Sequence, residues 1–152
     1  MGMTATTDED ALTATARQVF GAPVPHLEEM GVAVVETTPE RLTLRLPYRP
    51  CLIGDSEAEL LHSGAVTSLA DTACGFLAMT VWPAPRTVAT LDLRMDFLRP
   101  ALAGQDLFVE ARCLQRTRHV VFVRAKVYQA DPEVPVALAT GTFMLTDAEA
   151  GA

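Results

Sequence analysis

A single aspartate interrupts a long, almost uncharged stretch of the chain. Within residues 60–85, Asp71 is the only residue that carries a formal charge at neutral pH. Ionised carboxylates are rarely enclosed in a protein without a partner, so this position needs an explanation. A carboxylate in an apolar pocket can serve as a general base or as a nucleophile. A plainer alternative stays open, in which Thr67, Ser68 and Asp71 form a polar stripe on one face of a helix.

A second group of candidates lies where the same stretch begins, at His62, Ser63 and Gly64. If a helix starts there, its free backbone N–H groups and the positive end of its dipole can stabilise a developing oxyanion. The small residues would let a substrate carbonyl approach closely. The structural alternative is that Ser63 is an N-cap and Gly64 a packing residue.

The spacing of these two groups predicts an assembly. Ser63 and Asp71 are eight positions apart, which is about 12 Å along a helix axis. They therefore cannot both contact the carbonyl carbon of one substrate within one chain. If both are catalytic, the helix start of one subunit must meet Asp71 of another, and we expect an isologous dimer with two shared sites.

A long helix is expected to carry both groups. Residues 64–80 are apolar on every side, which predicts a helix that other structure encloses. Residues 48–61 show no periodicity and are expected to form the loop that leads into it. A short amphipathic helix, packed as a lid, is expected over residues 8–20.

Strands with alternating polarity surround the helix in the sequence. They are predicted at 31–36, 41–47, 87–98, 106–116, 119–129 and 136–146. The first two are expected to form a hairpin, and the short later connections favour antiparallel neighbours, so the fold class is α+β. In the strand at 87–98, alternation places apolar residues on one face (Leu91, Leu93, Met95 and Phe97) and charged residues on the other (Asp92, Arg94 and Asp96).

Composition narrows the class of protein. The chain has 152 residues, of which 49% are hydrophobic and 20% charged, as expected for a single domain over 1–152 with frayed ends at 1–7 and 147–152. The net charge of −7 argues against nucleic acid or an anionic membrane as the main partner. Residues 60–85 are too polar for a membrane span. Three cysteines without CxxC spacing and no signal-peptide pattern favour a cytoplasmic protein.

Two motifs together resemble a known family. Residues 61–73 read LHSGAVTSLADTA and resemble the HGG-(x)n-LADTA signature of PaaI-like hotdog-fold thioesterases, with the nine-residue spacing from His to Asp intact. Residues 90–101, TLDLRMDFLRPA, are similar to the strand of that family that ends in FLRPA. The resemblance implies a hotdog fold, an antiparallel sheet of five to six strands wrapped around a long central helix. It also implies homodimers that often pair into tetramers, and hydrolysis of acyl-CoA thioesters without a cofactor, since coenzyme A is part of the substrate.

The resemblance implies roles for individual residues. Asp71 matches the family's catalytic carboxylate, which acts as a base on water or as a nucleophile toward the thioester. Thr90 matches a hydroxyl residue that helps to position the water or the aspartate. His62, Ser63 and Gly64 match the HGG element, whose first glycine offers an oxyanion-hole N–H. Serine in that place keeps the N–H but narrows the approach to it.

A further departure from the family lies in the preceding loop. Many members have an Asn or Gln about six residues before the histidine, near Ser56 here, and residues 51–60 contain neither. If that amide orients the nucleophile, then Ser56, His62 or a water replaces it in this chain, or activity is reduced.

Five basic residues follow one another without an intervening acid: Arg112, Arg116, Arg118, Arg124 and Lys126. They can be explained as solvated strand faces. As a functional patch, Arg116 and Arg118 at the expected turn are candidates for holding the phosphates of coenzyme A. No metal site is expected, because metal-ligand spacing of cysteine and histidine is absent.

Two other functions stay open. A non-catalytic acyl-CoA-binding module on the same fold fits the missing amide and Ser63. A hotdog enoyl-CoA hydratase or dehydratase needs a histidine paired with an acid in one pocket, and among His26, His62 and His119 we expect only His62 to serve.

Overall fold

The computed structural model describes residues 23–146 together with Ala14. Apart from Ala14, the predicted lid helix over 8–20 and the predicted frayed ends lie outside the described residues. The helices are α1 (Pro25–Met30) and α2 (Ser63–Thr80), with a 3₁₀ turn at Pro50–Leu52. The strands are β1 (Ala33–Thr38), β2 (Arg41–Leu46), β3 (Ile53–Asp55), β4 (Leu60–Leu61), β5 (Val88–Phe97), β6 (Leu107–Arg116), β7 (Val120–Tyr128) and β8 (Ala137–Leu145).

Six strands form one antiparallel sheet around α2. Their order is β1-β2-β6-β7-β8-β5, and α2 packs against β2, β5, β6, β7 and β8. The predicted hairpin of the first two strands is present, and so are the hairpins β6–β7 and β7–β8. The α+β class and the sheet wrapped around one long helix are confirmed.

The core lies between α2 and the inner face of the sheet, which is the face toward that helix. Its fully buried side chains come from both layers and include Leu69 and Leu77 on α2 and Leu44, Val109, Val123 and Phe143 on the strands. Each such side chain contributes about 1.5–3 kcal/mol when it leaves water. The inner residues of β6 and β7 alternate with exposed ones, which is the period of two that identified these strands.

The described residues enclose α2 only in part. Thr67, Ser68, Asp71, Thr72 and Gly75 are half-buried, and their spacing of three and four places them on one stripe of the helix. The prediction of an enclosed helix is correct toward the sheet and wrong along this stripe. No helix among residues 23–146 is both long and apolar enough to cross a membrane.

The prediction of a plain loop over residues 48–61 is wrong. The segment contains the 3₁₀ turn and the two-stranded sheet β3–β4, in which Ile53 lies opposite Leu61. A Cβ atom on Gly54 would lie only 2.7 Å from His62 Cα. Glycine therefore lets β3 pass close to the residue that precedes α2.

The short helix α1 was also not predicted. It begins at Pro25 and ends before Gly31, which has φ +71°. Proline has a φ suited to a first helical turn, and glycine readily adopts the left-handed conformation that terminates a helix. Both signals are in the sequence, but six residues are too few for an apolar period to stand out.

Candidate active site

Asp71 meets Thr90 across the contact between α2 and β5. The Thr90 hydroxyl donates a hydrogen bond to Asp71 Oδ1 at 3.2 Å. The carboxylate is half-buried on the open stripe of α2 and accepts no other side-chain hydrogen bond from residues 23–146. One of its oxygens is thus held, while Oδ2 stays available to a water or a substrate.

A β-bulge turns Thr90 toward this carboxylate. The register of β5 against β8 shifts between Thr90, which lies opposite Phe143, and Asp92, which lies opposite Thr142. Phe143 is buried on the inner face, so Thr90 faces inward with it, whereas strict alternation would put Thr90 on the same face as Asp92. The extra residue is Leu91. The simple alternation predicted for this strand is therefore wrong at Leu91, the residue that brings Thr90 to the inner face.

Asp71 and Thr90 line a common cavity of about 230 Å³. Its other walls are mostly apolar and are formed by Val24, Leu27, Phe76, Met79, Val88 and Phe143. Gly75, one turn after Asp71, also lines the cavity and leaves it wide there. A carboxylate beside an apolar cavity can act on the polar end of a ligand whose apolar part fills the space.

His26, on α1, lines the same cavity. From the sequence, His62 was the one histidine expected to pair with an acid in the active site, and His26 was not expected there. The signal was weak, because an isolated histidine between two prolines and an acidic pair has no spacing that relates it to Asp71.

The start of α2 is capped by His62. Its Nδ1 accepts a hydrogen bond from the Gly64 N–H at 2.9 Å, so the structural alternative in which Ser63 is the N-cap is wrong. Gly64 has a packing reason as well, because a Cβ atom there would lie 2.8 Å from His62 Nδ1. The predicted oxyanion donors were the N–H groups of Ser63 and Gly64. The Gly64 N–H is used by the cap, whereas the Ser63 N–H has no acceptor among the described residues.

Ser63 and Asp71 lie on the same helix and face different neighbours. Their separation along α2 is about 12 Å, and the cavity beside Asp71 includes none of residues 62–64. One chain therefore does not bring the predicted oxyanion donor to the carboxylate.

Ser56 lies at the exposed turn between β3 and β4. The turn is held by Asp55, whose Oδ1 accepts hydrogen bonds from the N–H groups of Glu57 and Ala58, each at 3.0 Å. The Ser56 side chain bonds to no other described residue. Within one chain it takes no part in orienting Asp71.

Arg116 and Arg118 lie away from the cavity. The Arg116 guanidinium donates to the Val81 carbonyl at 2.9 Å and stacks over Trp82, 4.7 Å from the ring centre. It thus stabilises the carboxyl end of α2, about 15 Å along the axis from Asp71. Arg118 is exposed in the β6–β7 turn. Their contact with coenzyme A stays a prediction.

Cys74, one turn beyond Asp71, is fully buried. Burial and the nearby negative charge of Asp71 raise the pKa of this thiol to about 12. A thiol that stays protonated is a poor nucleophile. Among the residues that the structure describes, no three His, Cys, Asp or Glu side chains are grouped so that they could hold a metal ion.

Comparison with known proteins places this geometry in a family. The model of the thioesterase superfamily matches residues 59–136, which include Asp71 and Thr90. A Pseudomonas aeruginosa protein of known crystal structure is 39% identical, with a TM-score of 0.75 over 88% of this chain and 98% of that one. The medium/long-chain acyl-CoA thioesterase YigI of Escherichia coli K12 is 24% identical over 141 residues, 84% of this chain and 90% of YigI.

The fold is also that of the E. coli PaaI protein from the phenylacetic acid degradation operon. The two structures align with a TM-score of 0.74 at 19% identity, over 90% of this chain and 96% of PaaI. The predicted resemblance to PaaI-like hotdog proteins is confirmed. With half of its length matched by the family model and its fold shared with solved relatives, the chain belongs to the thioesterase superfamily of hotdog-fold proteins.

Proposed function

We propose that this protein is an acyl-CoA thioesterase that hydrolyses its substrate to a free acid and coenzyme A. The observation that carries the proposal is the Asp71 carboxylate, held by Thr90 at the wall of an apolar cavity. Membership of the thioesterase superfamily and the similarity to YigI support it. Coenzyme A is part of the substrate, and the reaction needs no separate cofactor.

In the first of two routes, Asp71 acts as a general base. Its free Oδ2 takes a proton from a water molecule, and the water oxygen attacks the thioester carbonyl carbon. The tetrahedral intermediate then expels the coenzyme A thiolate, which takes up a proton. In the second route Asp71 Oδ2 attacks the carbonyl carbon itself and displaces the coenzyme A thiolate, which takes up a proton. Water then hydrolyses the resulting mixed anhydride, which releases the free acid and restores the Asp71 carboxylate. Both routes require the carboxylate, and in both Thr90 fixes its orientation.

The developing oxyanion needs a donor, and within one chain the predicted backbone donors at the start of α2 do not line the cavity beside Asp71. The free Ser63 N–H at the start of α2 is suited to this role because the helix dipole adds to its partial charge. We therefore place the Ser63 N–H of a second copy opposite Asp71, in a homodimer with two shared sites. Such dimers could pair further into tetramers.

The exposed edge of β5 supports a second copy next to this strand. β5 is the outermost strand of the sheet beyond β8 and spans ten residues, Val88–Phe97. Leu91 and Phe97 on it are 55% and 50% exposed. A long, apolar edge strand attracts another strand unless it is covered. Pairing β5 with β5 of a partner would cover it beside Thr90, and the open stripe of α2 lies close by.

Mixing two defective variants tests the shared site. Ser63→Pro removes the N–H, and proline is tolerated at the first position of a helix. Asp71→Asn removes the base. Each homodimer should be nearly inactive, whereas random mixing should restore about a quarter of the wild-type rate, because half of the dimers then hold one intact site. No recovery on mixing would show that the site is not shared. Ser63→Ala, which keeps the N–H, is the matched control.

The cavity also indicates the kind of acyl group. Its walls are mostly aliphatic and aromatic. Among the described residues that line it, Asp71 is the one acidic side chain and His26 the one basic side chain. We propose an unbranched aliphatic acyl chain of medium length, in agreement with the name of YigI. Release of free thiol from acyl-CoAs of increasing chain length tests this, with benzoyl-CoA as an aromatic comparison. Binding without release of thiol from any of them would instead identify a non-catalytic acyl-CoA-binding module.

One observation favours a second candidate function. His26 and Asp71 line one cavity, and a histidine with an acid is the pair that an enoyl-CoA hydratase needs. Loss of the enoyl absorbance of crotonyl-CoA, without release of thiol, would support hydration. Release of thiol with the enoyl group intact would support the thioesterase.

A further inference from the structure

The outer face of the sheet, which is the face away from α2, carries a row of basic residues. In the strand registers Arg41 lies opposite Arg112, and Arg112 opposite Arg124. Thr140 lies opposite both Arg124 and Arg94. Residues directly opposite each other in antiparallel strands share a face, with Cβ atoms about 5 Å apart. Four arginines therefore cross the sheet along one line.

The charge of Arg124 is the one that its neighbours leave uncompensated. Arg41 is paired with Glu36, Arg94 with Asp96 at 3.0 Å, and Arg112 with Glu110 at 2.9 Å. No carboxylate among the described residues pairs with Arg124. Like charges directly opposite each other destabilise a sheet, and packing does not explain why two exposed arginines, Arg112 and Arg124, occupy opposite positions.

A cavity of about 330 Å³ lies at this part of the row. Arg112, Arg124 and Lys126 line it, together with a single carboxylate, Glu110, and the apolar side chains of Leu114 and Leu138. Among the described residues, the one carboxylate that Lys126 reaches is that of Glu133, at 3.8 Å, and this glutamate is 86% exposed. The cavity walls carry an excess of two positive charges, in a chain whose net charge is −7.

The chemistry of the walls selects a class of ligand. Guanidinium groups bind phosphate oxygens in pairs, and a phosphate monoester carries a charge of about −2 near neutral pH. That charge matches the excess on the walls, and the two leucines can contact a less polar part of the same molecule. We propose that this outer-face cavity binds a small molecule through a phosphate group held by Arg124 and Arg112.

This binding is separate from the chemistry at Asp71. The sheet lies between the two, since Asp71 faces the inner side and the arginine row the outer side. The phosphate could belong to free phosphate or pyrophosphate, or to the nucleotide end of a coenzyme A molecule. Their shared chemistry is the phosphate group, and two probes distinguish them.

Calorimetric titration of the whole protein at low ionic strength tests the proposal, with pyrophosphate and adenosine 3′,5′-bisphosphate as probes. We expect one site per chain for at least one probe, and a dissociation constant about tenfold larger in Arg124→Gln. Arg124→Lys keeps the charge but loses the paired N–H donors of the guanidinium group, so it should weaken binding less than Arg124→Gln does. Equal affinity for both probes indicates free phosphates, and tighter binding of the bisphosphate indicates a nucleotide. Either result supports the site.

The control is Arg99→Gln, which removes the same charge from an exposed arginine outside the row. Its affinity for both probes should equal that of the wild type. Equal weakening in Arg99→Gln and Arg124→Gln would show a general effect of net charge and overturn the proposal. The absence of binding of either probe to the wild type would overturn it as well. Thermal unfolding of each variant verifies that the exposed substitutions leave the fold intact.

Discussion

Thr90 on β5 donates its hydroxyl hydrogen to Asp71 Oδ1 on α2, with 3.2 Å between the two oxygens. The bond joins the edge strand to the central helix and fixes one oxygen of the carboxylate. It depends on the bulge at Leu91, which brings Thr90 to the inner face. The orientation of the proposed catalytic group is therefore set by the backbone of a different element.

Replacement of Thr90 by valine should slow turnover without unfolding the protein. Valine keeps the shape and the strand preference but cannot donate to Asp71. A hydrogen bond to a charged group is worth about 1.5–3 kcal/mol, so kcat for thioester hydrolysis should fall by about ten- to a hundredfold. Thr90→Ser, which keeps the hydroxyl, should stay close to the wild type. Equal activity of the valine and serine variants would show that the bond does not matter for the reaction.

Replacement of Gly54 by alanine should disturb the start of α2. The added Cβ would lie 2.7 Å from His62 Cα, and because the clash is with backbone, β3 or the helix start must move. We expect the free energy of unfolding to fall by about 1–3 kcal/mol and the rate of hydrolysis to fall with it. Chemical denaturation and the thiol-release assay measure the two effects.

Gly75→Ala is the matched control for that substitution. A Cβ at Gly75 would lie 3.6 Å from Phe143, an ordinary contact, and alanine is favoured over glycine within a helix by about 1 kcal/mol. This variant should be at least as stable as the wild type. Destabilisation of both variants by the same amount would contradict the special role given to Gly54.

A larger residue at position 75 should shift the preferred acyl length. Gly75 lines the cavity beside Asp71, so the side chain of Gly75→Leu would occupy part of the space proposed for the acyl chain. We expect kcat/KM for long acyl-CoAs to fall by about tenfold or more relative to short ones, since each buried methylene contributes about 0.8 kcal/mol. An unchanged chain-length profile would place the acyl group elsewhere.

The Cys74 thiol should be unreactive in the folded protein and should affect the free energy of unfolding only at high pH. Burial and the charge of Asp71 raise its pKa from 9.0 to about 12. Between those values the unfolded chain loses the proton and the folded one keeps it, so stability falls as the pH rises above about 9. Denaturation midpoints of the wild type should therefore fall more steeply with pH than those of Cys74→Ala.

A thiol reagent should label exposed Cys51 and spare Cys74 until denaturant is added. Rapid labelling of native Cys74 would contradict this.

Much of the fold follows from patterns that are local in the sequence. The strands of the later half alternate, except at the bulges in β5 and β6, because one face meets α2 and the other meets water. Their predicted limits agree with the structure within one residue at each end. Asp71 stands out in the sequence as a lone charge in an apolar run, and the structure places it beside Thr90 at the wall of a cavity. Its catalytic role stays a prediction. The spacing of the family signature was visible too, and the family is confirmed.

The remaining features arise from contacts between distant segments. The bulge at Leu91 exists only in the register of β5 against β8, and a period of two conceals it. The choice of His62 over Ser63 as the cap depends on the imidazole folding back to Gly64. The arginine row requires five strands in their final order, since Arg41 and Arg94 are far apart in the chain. No single segment contains these relationships.

The proposed role of Asp71 in thioester hydrolysis is tested most directly by the initial rate of coenzyme A release from a medium-chain acyl-CoA. This rate is compared between the wild-type protein and Asp71→Asn. Asn is nearly the same size as Asp but can neither take up a proton nor attack a carbonyl. We expect steady release by the wild type and a fall of about a hundred- to ten-thousandfold in the variant. Asp92→Asn, which alters an exposed aspartate on the same edge strand, should keep the wild-type rate. Equal rates for Asp71→Asn and the wild type would show that the Asp71 carboxylate is not the catalytic group.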